Sequence, residues 1–387
     1  MVRLKDICTI NPKSPGFQDE LTVSFVPMPK VGENGEFDPS EIKTYQEVKK
    51  GFTYFQNGDV LFAKITPCME NGKGAIAQSL ENSVGFGSTE FHVLRPFPKY
   101  VTSKWLFYLL SWETFRNEAE KSMTGSAGQK RVPKSFLEEY DVDLPDISTQ
   151  EKMTDALDKT CYLISLRKQQ LAKLDELVKA RFVEMFGDPV SNPMKWKTLL
   201  FGEAFEITSS KRILKSEWKA EGIPFLRVRD MVRLAATGKM DNEFFVSEKF
   251  YSSLSDSDGV PVSGDILVSA TSTLGKCHVV APGERFYFKD ADVLRFRPLL
   301  AVDPIYFVEL MRTPYIENQI IQTLGITTVS HFTIAAAKKI YMRCPNYEMQ
   351  KQFSVFVQES NRQKLTIQQS LDKLEVLRKS LMQEYFG

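Results

Sequence analysis

The residue types that most often catalyse reactions or bind metals are scattered in this sequence. The chain has five cysteines and three histidines, with no CxxC pair and no cluster at metal-ligand spacing. It contains no GxxxxGK[ST] loop, no GxGxxG loop and no Asn-Pro-Pro-aromatic motif of amino-methyltransferases. Asp59 and Asp265 each follow a glycine, a context that favours a turn over acid–base chemistry. We therefore expect no catalytic site, metal or cofactor in this chain, and reduced thiols.

The polar residues that could bind a ligand lie in glycine-containing loops. In the first half, a polar loop from Lys64 to Gly74 follows a predicted buried strand, and a basic loop runs from Thr124 to Arg131. In the second half, the loop from Ala270 to Lys276 follows a predicted strand in the same way. The lysines, arginines and amides of these loops are suited to hydrogen bonding and charge pairing rather than to nucleophilic attack.

Composition is typical of a globular protein. A length of 387 residues suggests two or three domains, and 42% hydrophobic and 26% charged residues are ordinary proportions. The apolar runs are too short for a membrane span and the N-terminus lacks the form of a signal peptide, so we expect a cytoplasmic protein without membrane contact. A net charge of +1 neither requires nor excludes nucleic acid; a DNA-binding chain with this balance must concentrate its basic residues on one face.

A long amphipathic helix is predicted from Thr149 to Gly187. Apolar residues recur there every seven positions, and the stretch has no proline or glycine before its last residue. Its narrow apolar seam is of the kind that pairs with another helix. At about 1.5 Å per residue the helix would be roughly 57 Å long. The ending Gly187-Asp188-Pro189 is a typical helix stop.

The same stretch recurs 200 residues later without a gap. Pro145 corresponds to Pro345, Gln150 to Gln350, and Phe186-Gly187 to Phe386-Gly387. Further matches along both helices make a duplication the simplest explanation. The two helices would then pack against each other along their seams, which we expect to contain Leu157, Ile164, Leu171, Leu174, Ile367, Leu371, Leu374 and Leu381.

The duplication predicts a globular domain, a long helix, a second globular domain and a second long helix, with the two helices packed against each other. The predicted ranges are 1–143 for the first domain, 144–187 for the central helix, 188–343 for the second domain and 344–387 for the C-terminal helix. Within the first domain, Ser103 to Glu120 is predicted to be helical. Strand and turn positions recur in both domains while the intervening loops differ, which suits two binding domains that hold different ligands.

This arrangement resembles the specificity subunit of type I restriction-modification systems. The matching motifs are Gly58–Ala63 with Gly72-Lys73, their counterparts Gly264–Val268 with Gly275-Lys276, the Gly125–Leu137 segment, and the long helices ending in Phe-Gly. The motifs occur in the same order in both halves, and the resemblance covers essentially the whole chain. The second half departs from the pattern at Ile326–His331, which lacks the basic Gln-Lys-Arg run.

The resemblance implies a subunit without catalytic activity that selects a DNA sequence. The implied fold is α+β, with two α/β target-recognition domains separated by two long antiparallel coiled-coil helices and related by pseudo-two-fold symmetry. Each domain would read one half of a bipartite, asymmetric site on double-stranded DNA, and the helices would set the distance between the half-sites. The subunit would bind two methyltransferase (modification) subunits, which methylate adenine at N6, and restriction/translocase subunits. S-adenosylmethionine, ATP and Mg would be bound by those partners and not by this chain.

Residues that contact DNA are expected among the loop lysines, arginines and amides. Arginine or lysine pairs with guanine edges, asparagine or glutamine pairs with adenine, and lysine and arginine also contact phosphates. Solvated surface charge is the alternative for each residue. The candidates are Lys64, Asn71, Lys73, Gln129, Lys130 and Arg131 in the first domain, and Arg227, Arg229, Arg233, Ser272, Thr273 and Lys276 in the second.

Two other functions compete with this interpretation. The chain could be the specificity subunit of a type IIB-like system, in which one partner both methylates and cuts DNA. It could also be a coiled-coil scaffold that joins two protein-binding domains and never meets DNA. A scaffold predicts no methyltransferase partner and no salt-sensitive DNA binding.

Overall fold

The structure is a computed structural model that describes residues 1–126, 128–240, 242–255, 259–271, 273–323 and 331–387. It mixes helices and strands and includes two long helices, which confirms the predicted α+β class. The chain divides into two compact units, of which the first comprises Met1–Lys168 and Gln369–Gly387 and the second comprises Gln169–Gln368. Each unit therefore contains a globular part and half of each long helix.

The first unit contains ten strands and five short helices among its described residues, followed by the start of a long helix. The strands are β1 (Val2–Arg3), β2 (Cys8–Ile10), β3 (Thr22–Val26), β4 (Ile42–Thr44), β5 (Thr53–Gln56), β6 (Val60–Ala63), β7 (Gly74–Ile76), β8 (Val84–Gly87), β9 (Phe91–Pro96) and β10 (Asp141–Val142). The helices are α1 (Leu4–Ile7), α2 (Tyr45–Val48), α3 (Ser103–Ser111), α4 (Glu113–Ser122), α5 (Lys134–Glu139) and the long α6 (Ile147–Phe186).

The strands of the first unit form two four-stranded sheets, ordered β2-β9-β6-β7 and β4-β3-β8-β5, while β1 pairs with β10. Strand β6 is buried on both faces. Val60 and Phe62 pack in the core that includes Trp105, while Leu61 and Ala63 pack in a second core on the other face. Burial on both faces explains why this predicted strand is a continuous apolar run rather than an alternating one.

The second unit repeats this plan with different loops. Its strands are β11 (Lys197–Leu200), β12 (Phe205–Ser209), β13 (Ile223–Leu226), β14 (Phe245–Val246), β15 (Ile266–Ser269), β16 (Cys277–Val279), β17 (Tyr287–Phe288), β18 (Val293–Pro298) and β19 (Tyr341–Cys344). Its helices are α7 (Phe201–Ala204), α8 (Val228–Thr237), α9 (Glu248–Ser255), α10 (Pro304–Met311), α11 (Pro314–Thr323), α12 (Ile334–Ala337) and the long α13 (Tyr347–Phe386).

Sheet topology supports the duplication. The order β12-β18-β15-β16 in the second unit corresponds strand for strand to β2-β9-β6-β7 in the first. The pair β11-β19 corresponds to β1-β10, and a parallel pair, β13 with β17, corresponds to β3 with β8. The peripheral sheet differs, since it has three strands in the second unit and four in the first.

A buried arginine–aspartate pair anchors the equivalent strand in each unit. Asp59 accepts hydrogen bonds from Arg95 Nε at 2.8 Å and Nη2 at 2.7 Å, and from the backbone N–H of Gln56 at 2.8 Å. Asp265 does the same with Arg297 at 2.9 and 2.8 Å and with the Val262 N–H at 3.0 Å. Both carboxylates are 1% exposed. The two aspartates are thus part of turn structure, in agreement with the prediction.

A buried glutamine ties the first turn of each long helix to the neighbouring short helix. Gln150 donates to the carbonyls of Pro145 and Tyr100 and accepts from the N–H of Thr102, which caps α3. Gln350 donates to the Pro345 carbonyl and accepts from the N–H of Asp303, the cap of α10. Both glutamines are completely buried. The two glutamines that match in the sequence repeat therefore have the same structural role in the two units.

The two long helices pair within each unit. In the first unit, Arg167 Nε lies 3.2 Å from Ser370 Oγ and Lys168 Nζ lies 3.5 Å from Glu375. In the second, Lys364 Nζ bonds Asp175 at 2.5 Å and the rings of Phe186 and Phe353 are 5.4 Å apart. As the residue number rises along α6, the number of its partner in α13 falls, so the pairing is antiparallel, as predicted.

The seam residues expected from the sequence all have reduced exposure. Three of them are buried and the other five are half-buried, which is usual for a two-helix seam whose outer edges face solvent. The buried ones are Leu157, Ile164 and Leu371; the half-buried ones are Leu171, Leu174, Ile367, Leu374 and Leu381.

One helix prediction was wrong. Ser103 to Glu120 is not a single helix, because the backbone turns extended at Trp112 (φ −64°, ψ 136°) and separates α3 from α4. The break lets both helices pack on the same core, where Trp105 and Phe115 are buried. This break could not be predicted locally, since Trp112 is a tolerable helix residue and no glycine or proline lies in the segment.

None of the described helices is long and apolar enough to cross a membrane. Nor does the described part of the chain gather three or more histidine, cysteine or acidic residues in a group that could hold a metal ion. The five cysteines are free thiols, and burial raises the pKa of Cys8 to about 12.

The buried pair of the first unit provides a stability test. Asp59→Ala leaves two Arg95 donors and the Gln56 N–H without their acceptor, so we expect the free energy of unfolding of the first unit to fall by about 3 kcal/mol. Urea unfolding measures the change. Asp19→Ala is the matched control, because it removes a solvent-exposed ion pair with Lys49, and less than about 1 kcal/mol is expected. Equal losses in the two variants would contradict the anchoring role.

Candidate nucleic-acid interface

Four of the first-unit candidates are brought together by backbone pairing between two loops. The segment after β6 runs beside the end of the basic loop, with Val132 N–H donating to the Lys64 carbonyl at 2.9 Å. The Thr66 N–H donates to the Lys130 carbonyl at 3.1 Å, and Ile65 forms a bridge with Arg131. Lys64, Gln129, Lys130 and Arg131 therefore share one surface, which we call the basic ledge.

The loop that supplies the basic ledge is closed at its neck. Thr124 and Arg131 exchange backbone hydrogen bonds of 3.0 and 2.9 Å, and Gly125 and Gly128 both have positive φ inside the loop. The loop borders a cleft of about 570 Å³ that is lined by Thr66, Glu70, Asn117, Glu120, Lys121, Met123, Gly128 and Lys130.

An acidic residue holds the arginine of the basic ledge. Arg131 donates to Glu90 through Nε at 2.9 Å and Nη2 at 2.8 Å, and its Nη1 donates to the Gln129 carbonyl at 3.0 Å. The hydrogen bond from Arg131 lowers the pKa of Glu90, so this carboxyl is ionised at neutral pH. Partial burial lowers the pKa of Lys64, and the nearby Glu90 carboxylate opposes that shift.

The other two first-unit candidates lie on a separate turn. Asn71 and Lys73 belong to the turn before β7, in which Gly72 has a φ of +80°. A side chain at Gly72 would come within 2.6 Å of Arg116 Nη1, which itself donates to the Glu70 carbonyl. Lys73 lines a different cleft of about 600 Å³, formed mainly by residues 29–38. Lys130 and Lys73 therefore line different clefts.

A buried histidine contacts the backbone beneath the basic ledge. His92 Nε2 lies 2.8 Å from the Val132 carbonyl and Nδ1 lies 3.1 Å from Asn11 Nδ2. This pattern fits a neutral ring that donates through Nε2 and accepts at Nδ1. Burial lowers the pKa of His92, and the hydrogen bond to Val132 opposes that shift.

In the second unit, the three candidate arginines lie in or next to α8 and form ion pairs with Asp230 of that helix and with Glu243 beyond it. Arg227 bonds Asp230 at 3.0 Å and Glu243 at 2.9 Å, and its guanidinium lies 4.6 Å from the ring of Phe244. Arg229 lies 3.4 Å from Glu243, and Arg233 lies 3.7 Å from Asp230. Arg229 is the most exposed of the three, at 67%.

Thr273 and Lys276 lie on the turn after β15. The Ser269 hydroxyl donates to the Thr273 carbonyl and accepts from the Lys276 N–H at 2.9 Å. Ser272 lies outside the described residues, as do 324–330 in the loop that corresponds to the first unit's basic loop. The backbone pairing that forms the basic ledge is nevertheless repeated, because the Phe332 N–H donates to the Ala270 carbonyl at 3.0 Å.

Sequence reasoning missed the acidic partners of these arginines. Glu90 is 41 positions from Arg131, and neither residue stands in a pattern that links it to the other. One signal was available in the duplication: an acidic residue, Glu90 or Asp292, precedes the equivalent strands β9 and β18.

His92 makes the stability of the first unit depend on pH. Its pKa is lower when folded than when unfolded, so below about pH 6.5 unfolding takes up a proton and becomes easier. The stabilisation is complete above pH 6.5 and is lost as the pH falls towards the folded pKa. We expect wild type to lose up to about 1 kcal/mol more than His92→Gln between pH 6.5 and 5.5 in urea unfolding. His331→Gln, at an exposed position, should keep the wild-type profile; parallel profiles for wild type and His92→Gln would contradict this account.

Comparison with known proteins finds relatives of the N-terminal part of the chain. Residues 1–176 match the family model of the type I restriction modification DNA specificity domain. The chain is 43% identical over 176 residues to the specificity subunit of the type I restriction enzyme EcoAI of Escherichia coli. It is 42% identical over 177 residues to that of EcoEI, also from Escherichia coli. These alignments cover 44% and 45% of this chain but only 30% of either relative, so the chain spans less than a third of the length of the curated relatives it matches.

Solved structures extend the similarity of fold to the whole chain. The type I S subunit from M. genitalium aligns with 100% of this chain and 95% of its own, with a TM-score of 0.61 and 15% identity. A chain from a study of assembly and conformational transition of the type I R-M system aligns with 99% of this chain and 96% of its own, with a TM-score of 0.59 and 17% identity. Residues 1–176 are therefore similar to the type I restriction modification DNA specificity domain, and the whole chain shares the fold of type I S subunits, which confirms the resemblance predicted from the sequence.

Proposed function

We propose that this chain is the DNA sequence-specificity subunit of a type I restriction-modification complex. Its two target-recognition domains, at 1–143 and 188–343, would each bind one half of a bipartite, asymmetric site on double-stranded DNA. The observation that carries the proposal is the basic ledge, formed by two loops that converge within a domain of the matching family.

The chemistry of the basic ledge suits DNA. Lys130 and Gln129 are exposed and Lys64 is half-buried, so the ledge offers ammonium groups for phosphates and an amide for a base edge. In the second unit the turn at Thr273–Lys276 and the exposed Arg229 would have the corresponding roles. Asn71, Lys73, Arg227 and Arg233 are proposed to contact DNA at the margins of the two domains.

The chain would select the DNA site, and its partner subunits would catalyse the reactions on DNA. Two methyltransferase subunits would dock on the long helices and methylate adenine at N6, and restriction/translocase subunits would join for cutting. S-adenosylmethionine, ATP and Mg²⁺ would be bound by those partners, in the cytoplasm. The groups described above give this chain hydrogen bonds and charge with which to bind DNA.

The paired helices would act as a ruler between the half-sites. α6 and α13 have 40 residues each, which corresponds to about 60 Å at 1.5 Å per residue. One turn of duplex is roughly 34–36 Å, so a rod of this length suits half-sites in successive major-groove windows. A segment of fixed length and unspecified sequence would separate them.

Methylome mapping tests the function directly. A host that expresses the full chain with its modification subunit should carry N6-methyladenine at one asymmetric, split motif, detectable by single-molecule sequencing. The modification subunit expressed alone is the control and should methylate no such motif. Methylation at no defined motif when both are present would contradict the proposal.

Lengthening the paired helices tests the ruler. Seven residues inserted in α6 between Lys168 and Gln169 and seven in α13 between Gln368 and Gln369 keep the heptad phase at the boundary of the units. The added length of about 10 Å should widen the gap between the half-sites by about three base pairs, with both half-sites unchanged. The same insertion after Gly51, a turn with open space around it, should leave the motif as it is. An unchanged gap in the helix variant would refute the ruler.

A further inference from the structure

The Arg131 side chain is hydrogen-bonded to residues of its own unit. Base reading by arginine uses two parallel N–H groups against guanine O6 and N7. The Nε and Nη2 edge of Arg131 is occupied by the two oxygens of Glu90, and Nη1 binds the Gln129 carbonyl two residues earlier. The guanidinium therefore links the loop that contains it to the strand that begins at Phe91.

Glu90 touches both segments of the basic ledge. Its carboxylate holds Arg131 at the neck of the basic loop, while its backbone carbonyl accepts the Lys64 N–H at 2.9 Å. The loop closed at this neck contains two glycines with positive φ, and ordering each such residue costs about 1–2 kcal/mol. A clamp at the neck would reduce the ordering that DNA binding has to supply.

The electrostatic cost of Glu90 argues for a role in positioning. A carboxylate near the phosphate backbone opposes binding unless a cation neutralises it. Arg131 provides that charge, so the pair adds almost no net charge to the ledge, while Lys64 and Lys130 supply the positive charge.

We propose that Glu90 is a positioning residue for DNA binding: it fixes Arg131 as the clamp of the basic loop, so that Lys64 and Lys130 meet the DNA. The inference rests on the proposed function and assigns Arg131 a role other than reading a base.

The second unit supplies a natural comparison. Asp292 has the position of Glu90, because its carbonyl accepts the Ala270 N–H at 2.8 Å just as that of Glu90 accepts Lys64. His331 has the position of Arg131, one residue before Phe332. Asp292 forms an ion pair at 3.5 Å with Lys289, three residues earlier. Asp292→Asn is therefore a matched control that removes an equivalent carboxylate held by a local partner.

A double-mutant cycle tests the clamp. The full chain with its modification subunit is titrated with duplex carrying the methylated motif, and base preference at the first half-site is read by selection from randomised duplex. Glu90→Gln and Arg131→Gln should each weaken binding about fivefold, the upper end for a half-exposed ion pair, and the double variant should be no weaker than either. Arg131→Lys, which keeps the charge but lacks the fork, should behave like Arg131→Gln.

A rescue experiment distinguishes a positioning role of the Glu90–Arg131 pair from a general effect of the substitutions on the fold. The exchanged pair, Glu90→Arg with Arg131→Glu, should recover most of the binding, and Asp292→Asn should bind like wild type. Base preference and melting temperature should stay unchanged throughout. Additive losses, normal binding by Glu90→Gln, or a changed base preference in Arg131→Gln would each overturn the clamp. A wild-type complex without any sequence preference would instead overturn the proposed function.

Discussion

The architecture depends on how the long helices end. Phe386, the last residue of α13, packs on Trp105 of the first unit at a centroid distance of 5.5 Å, and Phe186, the last residue of α6, packs on Tyr306 of the second unit at 4.9 Å. Trp105 and Tyr306 occupy equivalent positions in α3 and α10 and are completely buried. Each core is therefore completed by a helix that starts in the other half of the duplication. This exchange of helix ends explains why the Phe-Gly endings recur together with the glutamines that begin the helices.

The conserved framework within the duplication is polar as well as apolar. The arginine–aspartate pairs and the buried glutamines are satisfied by several hydrogen bonds each, and removing one partner would leave buried donors unpaired. Such groups tolerate little change, whereas the loops between them carry few constraints of this kind. The two halves can consequently share strand order and helix starts while the loops between them differ in length, charge and partners.

Periodic and duplicated features could be predicted from the sequence, whereas individual pairings could not. The heptad pattern indicated the long helices because a 40-residue helix averages over many positions, and Gly58-Asp59 marked the start of a buried strand through turn chemistry. The break at Trp112 was missed because tertiary packing overrides local propensity. The engagement of Arg131 by Glu90 and of Arg227 by Glu243 was missed because these contacts join residues 41 and 16 positions apart. A basic residue in a loop indicates positive charge. Whether its side chain can contact a ligand depends on neighbouring carboxylates, whose positions are known only from the fold.

This distinction bears on how a chain with a net charge of +1 could discriminate between DNA sequences. Most non-specific affinity comes from neutralised phosphates, and an excess of free cations would strengthen binding to every sequence alike. In both units candidate arginines such as Arg131 and Arg227 are paired with carboxylates, whereas Lys130 is exposed. If the proposed DNA binding includes only weak general attraction, one half-site alone would bind weakly, and tight binding would require both domains to contact one duplex. In the proposed function, a fixed separation between half-sites would then contribute to specificity together with the bases, which would be a physical reason for joining two DNA-binding domains through paired helices.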